Sequence, residues 1–291
     1  MAKLLLNKVV IFGVGLIGGS FALALKRAGA VRHVVGFGRS EANLRLALKR
    51  GVIDEIGTTL PRALRDADVV LLAMPVGRMQ QVMKRIAPHL SAHTIVTDAG
   101  STKQDVVTCA RKNFSKQLKN FVPAHPIAGT EHSGVRAATA DLFQNRDLIV
   151  TPLKETDKKA LRRVQDTWLV CGARISEMTP RQHDEVFAAV SHLPHLLAYG
   201  LVYVIAGKPN AKELFKYAAG GFRDFTRIAG SSPEMWRDIA LANRKILLKE
   251  LVEYQKQLKR VAALLQKGDG KALERLFTRA RNARQKWLLK N

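Results

Sequence analysis

Short runs of β-branched and other apolar residues alternate with longer amphipathic stretches over the first 178 residues of the chain. Each short run has the length of a buried strand, and the longer stretches have the apolar spacing of helices. An alternation of this kind predicts βαβ units around a parallel sheet. The predicted strands are Val9–Phe12, His33–Phe37, Val69–Ala73, Thr94–Thr97, Leu148–Thr151 and Arg174–Met178.

The pattern becomes helical after Met178, where Thr179 and Pro180 supply an N-cap and a proline at the first helical position. One long helix is predicted from Pro233 to Lys267, and a last helix follows Gly268. Both helices carry apolar stripes, which are either intramolecular core or the surface of a homodimer, and we expect the homodimer. The stripes consist of Leu247, Leu251, Tyr254, Leu258, Val261 and Leu265, and of Leu273, Leu276, Phe277, Ala280, Trp287 and Leu288.

A glycine-rich turn, Gly13-Val14-Gly15-Leu16-Ile17-Gly18, directly follows the first predicted strand and opens a helix. Its first glycine permits a tight turn, the second lets the backbone approach a pyrophosphate, and the third lets helix and strand pack closely. We therefore expect an α/β Rossmann-type dinucleotide-binding domain over residues 1–178 and an all-α dimerisation domain over residues 179–291. The predicted phosphate-binding residues are Gly13, Gly15, Leu16, Ile17 and Gly18.

The end of the second strand indicates which dinucleotide is bound. An NAD site would place a carboxylate there for the ribose 2′-hydroxyl, but the strand is followed by Gly38, Arg39 and Ser40. Arg39 and Ser40 could bind a 2′-phosphate, so NADP is predicted in preference to NAD. In the alternative, Arg39 stacks on adenine or faces solvent. Met74 and Pro75 follow another strand and are expected beside the nicotinamide ribose.

Composition adds a second class of function to consider. The formal charge of +24, from 48 Lys and Arg against 24 Asp and Glu, favours attraction to polyanions, including nucleic acid. The basic residues are scattered and aromatic residues are only 6%, so we interpret the charge as a solvated surface without specific nucleic-acid binding. Two distant cysteines suggest neither a disulfide framework nor a metal site. The first apolar run is interrupted by Asn7 and Lys8, which disfavours a signal peptide, and we expect a cytoplasmic protein without a membrane segment.

Five segments in order resemble the prephenate/arogenate dehydrogenases of tyrosine biosynthesis: GVGLIGGS, DAGSTK, HPIAGTEHSG, SHLPHLLA and GFRDFTRIA. The resemblance implies a catalytic base, a residue that orients it, and a pocket for a small anionic substrate, either prephenate or arogenate. These roles fall on His125 as the base, Ser101 as the orienting residue, His195 and Arg227 as substrate ligands, and Thr130 and Glu131 at the pocket.

The chemistry accounts for these residue types independently. A neutral imidazole can take the proton of the substrate hydroxyl while hydride leaves the same carbon, and a guanidinium can bind a carboxylate through two hydrogen bonds. Loss of CO2 is driven by aromatisation, so no metal is needed. The sequence does not decide between prephenate and arogenate.

Several residues have structural alternatives. His192 shares a helix face with His195, Arg223 lies one turn before Arg227, and Ser101 could cap its own helix. Glu131 could likewise be part of a cap. For the whole chain, the alternatives are an NADP-dependent reductase of the 3-hydroxyacid or imine type and a basic nucleic-acid-binding protein.

Overall fold

The computed structural model describes residues 5–130 and 132–289. The chain forms two compact units, Met1–Arg244 and Lys245–Asn291. The strands are β1 (Leu6–Phe12), β2 (Val31–Phe37), β3 (Glu55–Ile56), β4 (Val69–Leu72), β5 (Ile95–Asp98), β6 (Phe121–Val122), β7 (Ala124–Pro126), β8 (Asp147–Val150) and β9 (Arg174–Glu177).

Helices connect the strands and make up the rest of the chain. Those of the first half are α1 (Leu16–Arg27), α2 (Glu41–Lys49), α3 (Leu60–Leu64), α4 (Met79–Ile86), α5 (Gln104–Asn113) and α6 (Lys158–Val170). Those that follow the last strand are α7 (Pro180–Phe187), α8 (Leu193–Ala206), α9 (Ala211–Lys216), α10 (Gly220–Thr226), α11 (Pro233–Ala242), α12 (Arg244–Lys267) and α13 (Gly270–Leu288).

The first six strands form one parallel sheet in the order β3-β2-β1-β4-β5-β6. This is the strand order of a doubly wound nucleotide-binding sheet, and the direction of winding reverses between β1 and β4. Both of its faces are covered. One core contains Phe21 against Trp168, with ring centroids 4.7 Å apart, and the other contains Met79 and Met83. The predicted Rossmann-type domain is thus confirmed.

The prediction of a single parallel sheet is wrong in one respect. The last three strands form a separate sheet in which β7 runs antiparallel to β8, and β8 runs parallel to β9. Pro123 stands between β6 and β7 and has no N–H with which to continue the first ladder. Its carbonyl instead accepts from Thr151 N at 2.9 Å, which starts the second sheet.

The predicted long helix from Pro233 to Lys267 is also divided, since α11 ends at Ala242 and α12 begins at Arg244. The side chain of Asn243, between them, is buried and donates from Nδ2 to the carbonyl of Asp184 at 2.8 Å. The apolar spacing runs through this point, so only the tertiary contact reveals the break.

The segment after β9 begins as predicted, with Thr179 and Gln182 forming a reciprocal capping box at the start of α7. A π-helical turn, Ala188–His192, joins α7 to α8, so the helical stretch is continuous from Pro180 to Ala206. Its most apolar window has a mean hydropathy of 1.4 and is 17% buried, which matches a membrane-spanning helix by length and composition only. The stretch also carries His183 and Asp184, both buried and hydrogen-bonded within the same compact unit as the sheet.

Candidate active site

The glycine turn between β1 and α1 has the geometry of a phosphate-binding loop. Gly13 has a φ of +101°, and a Cβ there would lie 2.3 Å from the carbonyl oxygen of Ala73. A Cβ at Gly18 would lie 2.3 Å from the oxygen of Gly13, whereas one at Gly15 would meet nothing within 4 Å. Gly13 and Gly18 are therefore required by packing, while Gly15 borders open space.

The start of α1 suits a phosphate for a second reason. Leu16 and Ile17 are its first residues, and no side chain caps its N-terminus. Backbone amides at such a terminus, together with the helix dipole, bind phosphate oxygens. The residues present therefore fit the pyrophosphate of a dinucleotide, and the loop lies where the winding of the sheet reverses.

The predicted ribose-binding residues lie around this loop. Arg39, after β2, donates from both terminal guanidinium nitrogens to the two carboxylate oxygens of Glu234 on α11, at 2.9 Å each. Ser40 caps α2 by accepting from Asn43 N at 3.2 Å, and its hydroxyl hydrogen remains available to donate. Met74 and Pro75 follow β4, on the other side of the reversal point.

His125 lies on β7 and is half-buried. Its Nδ1 lies 2.8 Å from Nε2 of His183, and the Nδ1 of His183 lies 2.9 Å from a carboxylate oxygen of Asp184. An ionised carboxylate only accepts, so His183 carries its hydrogen on Nδ1 and accepts on Nε2. His125 then carries its own hydrogen on Nδ1, which leaves the lone pair of its Nε2 available to take a proton.

Asp184 also holds the start of α5. Its two oxygens accept from the backbone N–H groups of Lys103 and Gln104 at 2.8 and 2.9 Å. Burial raises the pKa of Asp184, but the hydrogen bonds from His183, Gln104 and Lys103 together outweigh it, and the pKa is lowered. The alternative in which Ser101 caps this helix is wrong, because α5 begins at Gln104 and Asp184 binds its first amides.

A buried ion pair supports the same region. Lys103 and Asp98 are fully buried and hydrogen-bonded to each other. Asp98 also accepts from Ala124 N at 3.2 Å, the residue before His125, and from Gly100 N at 2.8 Å. Asp98 thus joins the end of β5 to the start of β7, and its pKa is raised because burial outweighs the attraction of Lys103.

The histidines of the site are electrically neutral near pH 7. Burial, followed by the charges of His183 and Lys103, lowers the pKa of His125 well below 6.5. Burial also lowers the pKa of His183, although the hydrogen bond that His183 donates to Asp184 acts in the opposite direction. The pKa of His192 falls to about 4 for the same main reason, although Asp184 and the backbone of Ser101 act in the opposite direction. Ser101 is thus beside His192.

His195 lies on α8 with its ring stacked on that of Trp236, at 3.5 Å between centroids and 20° between planes. Its Nδ1 lies 2.8 Å from the carbonyl oxygen of Ser191 and therefore donates to it, which leaves Nε2 as an acceptor. The pKa of His195 is lowered by burial and, to a smaller extent, by the positive charge of Arg227. The two predicted substrate ligands are therefore close enough to interact.

The remaining predicted residues belong to the loop after β7. Thr130 accepts from His132 N at 3.2 Å through its hydroxyl oxygen, and it borders a cavity of about 330 Å³ together with Gly129 and Arg146. Glu131 lies outside the described residues.

A family model for the nucleotide-binding domain of prephenate dehydrogenase matches residues 21–177, and one for its dimerization domain matches residues 179–279. The chain belongs to the prephenate dehydrogenase family. The family confirms the resemblance noted from the sequence, the order of an α/β domain before a helical one, and the class of NAD(P)-dependent oxidoreductase.

Individual members of the family are similar over almost the whole chain. A prephenate dehydrogenase of Bacillus subtilis is 37% identical, over 96% of this chain and 75% of its own length. A cyclohexadienyl dehydrogenase of Zymomonas mobilis is 37% identical, over 95% of this chain and 94% of its own. The crystal structure of prephenate dehydrogenase from A. aeolicus in complex with hydroxyphenyl propionate and NAD+ superposes with a TM-score of 0.89 at 37% identity, covering 96% of this chain and 98% of that one.

His183 and Asp184 were not predicted from the sequence, although His183 contacts His125 and Asp184 contacts His183. A signal for them was present in the sequence, because an adjacent histidine and aspartate occur in the first turns of the helix that follows the last strand. A buried helix start that carries two ionisable residues is a place where polar partners are expected.

Proposed function

We propose that the chain converts prephenate, arogenate or both to the corresponding 4-hydroxyphenyl product by oxidative decarboxylation, within tyrosine biosynthesis. Family membership supports the reaction class. The single observation that carries the proposal is the hydrogen-bonded series from Asp184 through His183 to His125, which leaves one imidazole nitrogen of His125 ready to accept a proton. His125 stands on a strand that directly follows the parallel sheet, next to the edge where such folds bind ligands.

His125 acts as the general base in this proposal. Its Nε2 takes the proton of the ring hydroxyl while hydride leaves the carbon that bears it, and NAD(P)+ bound at the glycine loop would accept that hydride. The bond to the ring carboxylate then breaks as CO2, and its electron pair makes the ring aromatic. The phenolic oxygen recovers a proton from His125, which returns the imidazole to its neutral state.

His183 and Asp184 are positioning residues for His125. The bond from His125 to His183 strengthens as His125 becomes positively charged, because hydrogen bonds with an ionised partner are the stronger ones. Its effect is therefore larger in the transition state than in the ground state, which is the condition for raising the rate. The lowered pKa of His125 keeps the imidazole neutral before the substrate arrives.

Arg227 and His195 are the proposed ligands for the substrate carboxylates. Arg227 offers a planar set of hydrogen-bond donors, and its positive charge contributes to lowering the pKa of His195. The stacking of His195 on Trp236 fixes the plane of the imidazole. Ser101, Thr130 and Glu131 remain predicted contacts of the substrate pocket.

We also propose that two copies of the chain associate through the helical region. The matching dimerization-domain model supports this, as do exposed apolar side chains on and before α8: Val190, Tyr203 and Val204 are 66, 82 and 58% exposed. Phe277 and Leu265, on the two last helices, are 57 and 64% exposed. Light scattering should give the mass of a dimer, and Val204→Asp should lower it toward that of a monomer. A monomeric wild-type chain would contradict this proposal.

Free Cys109 and Cys171 support the predicted cytoplasmic location, where thiols stay reduced.

The test of function is reduction of NAD and NADP by the purified chain, with prephenate and arogenate supplied separately. His125→Asn should lower kcat by about 10³-fold, within the range attributed to general-base catalysis. His93→Asn is the matched control, since His93 is exposed between α4 and β5. Absence of turnover with both substrates and both cofactors would overturn the proposal.

A further inference from the structure

The carboxylate of Glu234 lies beside Arg39, the residue predicted to contact the adenosine ribose of the cofactor. Arg39 follows β2, where a dinucleotide fold contacts the 2′ position of the adenosine ribose. Both terminal nitrogens of Arg39 are engaged by Glu234, which lies 195 residues later in the chain. A second guanidinium, that of Arg78, lies 3.9 Å from the same carboxylate.

Helix α11 holds this carboxylate in place. A Cβ at Gly77 would come within 2.5 Å of the Asp238 carboxylate, so this helix packs closely on the turn that follows Met74 and Pro75. Trp236 of the same helix is stacked on His195. Glu234 is the second residue of the helix, where the dipole favours a negative charge. The pKa of Glu234 is lowered, chiefly by its hydrogen bond with Arg39, so it is ionised at neutral pH.

NAD and NADP would interact differently with the Arg39–Glu234 pair. The 2′-phosphate of NADP requires the same planar donors that Arg39 gives to Glu234, and it brings a like charge toward the carboxylate. The 2′-hydroxyl of NAD needs only an acceptor, which a carboxylate supplies. Through its bonds to Arg39, Glu234 of α11 brings a carboxylate close to the segment after β2, where the strand end itself supplies none.

We propose that Glu234 determines the choice between the two cofactors, by accepting the 2′-hydroxyl of NAD and by competing with the 2′-phosphate of NADP for Arg39. This inference rests on the proposed dehydrogenase function for its biological meaning. It also changes the basis of the NADP prediction, which treated Arg39 as an unopposed positive charge.

Adenosine fragments isolate this contact from the rest of the cofactor and from the substrate. Calorimetry on the full chain would give Kd values for 2′,5′-ADP and for 5′-AMP. In Glu234→Gln, we expect the ratio of the two affinities to shift by about tenfold toward 2′,5′-ADP, as expected for removing one competing ion pair and one repulsion. The kcat/KM ratio of NADP to NAD should move in the same direction.

Two further variants serve as controls. Glu155→Gln removes a carboxylate that Arg111 holds through two similar hydrogen bonds outside this site, and it should leave the ratio unchanged. The double variant Arg39→Gln/Glu234→Gln should not show the shift in affinity toward 2′,5′-ADP, because that shift requires an Arg39 that no longer pairs with Glu234.

Three outcomes would overturn the inference: an unchanged affinity ratio in Glu234→Gln, a gain that persists without Arg39, or no binding of either fragment to the wild type and Glu234→Gln. Failure of the proposed function has a different signature. A chain that binds the fragments as expected but turns over neither prephenate nor arogenate would refute the dehydrogenase proposal while Glu234 kept its role.

Discussion

His183 can be tested with two amide substitutions that each preserve a different one of its hydrogen bonds. An asparagine side chain reaches about as far as Nδ1 of histidine, so His183→Asn should keep the bond to Asp184 and lose the one to His125. A glutamine reaches about as far as Nε2, so its carbonyl in His183→Gln should keep the bond from His125 and lose the one to Asp184. The two bonds are 2.8 and 2.9 Å long, so the variants remove contacts of similar quality.

The size of the expected effect follows from the lost acceptor. A buried donor left without a partner costs about 1–3 kcal/mol, and each 1.36 kcal/mol corresponds to roughly tenfold in rate. The bond at His125 strengthens as its imidazole becomes charged, so the loss falls mainly on the transition state. We expect His183→Asn to lower kcat by about 5- to 150-fold with little change in KM, and His183→Gln to stay within about fivefold of the wild type.

The assay is steady-state reduction of the preferred cofactor, with thermal unfolding of both variants as the control for folding. His183 is fully buried, so both variants should lose some stability, and by similar amounts because each loses one hydrogen bond. Equal loss of kcat in the two variants would refute the reasoning, because a general packing role would not distinguish them. A wild-type kcat in His183→Asn would refute it as well.

Three other predictions concern the cofactor loop, the buried histidines and the break before α12. Gly15→Ala should fold normally and weaken NAD(P) binding by at least about tenfold in calorimetry. Gly13→Ala should instead lower the unfolding free energy by more than about 1 kcal/mol, because its φ is +101° and a backbone oxygen is 2.3 Å from the added Cβ. A destabilised Gly15→Ala beside a stable Gly13→Ala would contradict the loop assignment. The pKa of His192 is about 4 in the folded chain, against 6.5 for an ordinary histidine. Between these two values the unfolded chain binds more protons than the folded one, so the free energy of unfolding should fall as pH drops through this window. His192 alone should contribute a loss on the order of 3 kcal/mol. Urea unfolding at several pH values measures this, and a flat profile would count against it. Asn243→Ala should cost about 1–3 kcal/mol in the same assay, since Nδ1 of the buried His192 loses its partner and the carbonyl of Asp184 keeps only Ala188 N as a donor. A change below about 0.5 kcal/mol would show that these contacts are unimportant.

Local patterns predicted four strands of the parallel sheet, β1, β2, β4 and β5, and the glycine turn, but they missed the two-residue strands β3 and β6. They succeeded because periodicity and turn chemistry act over a few residues. The partner of His125 lies 58 residues away, and the partner of Arg39 lies 195 residues away. Side-chain pairings at such separations are set by how helices pack on the sheet, for which one sequence has no local signal. The end of α11 was missed for the same reason, since Asn243 is exceptional only through its contact with Asp184.

The π-helical turn Ala188–His192 fixes the rotational phase between the two ends of one continuous helical stretch. A π turn contains one residue more than the α-helical turn it replaces, and each residue of an α-helix rotates the following chain by about 100°. Deleting one residue of this turn would therefore restore an ordinary α-helical turn of the same rotation, and His195 would stay on its side of the helix. Deleting a residue from the α-helical part between His183 and the turn, such as Glu185, would instead rotate His195 by about 100° away from Trp236. The segment between these two histidines thus tolerates the loss of one residue within the π turn but not beside it. A scan of single deletions would show this difference, whereas a scan of single substitutions would not.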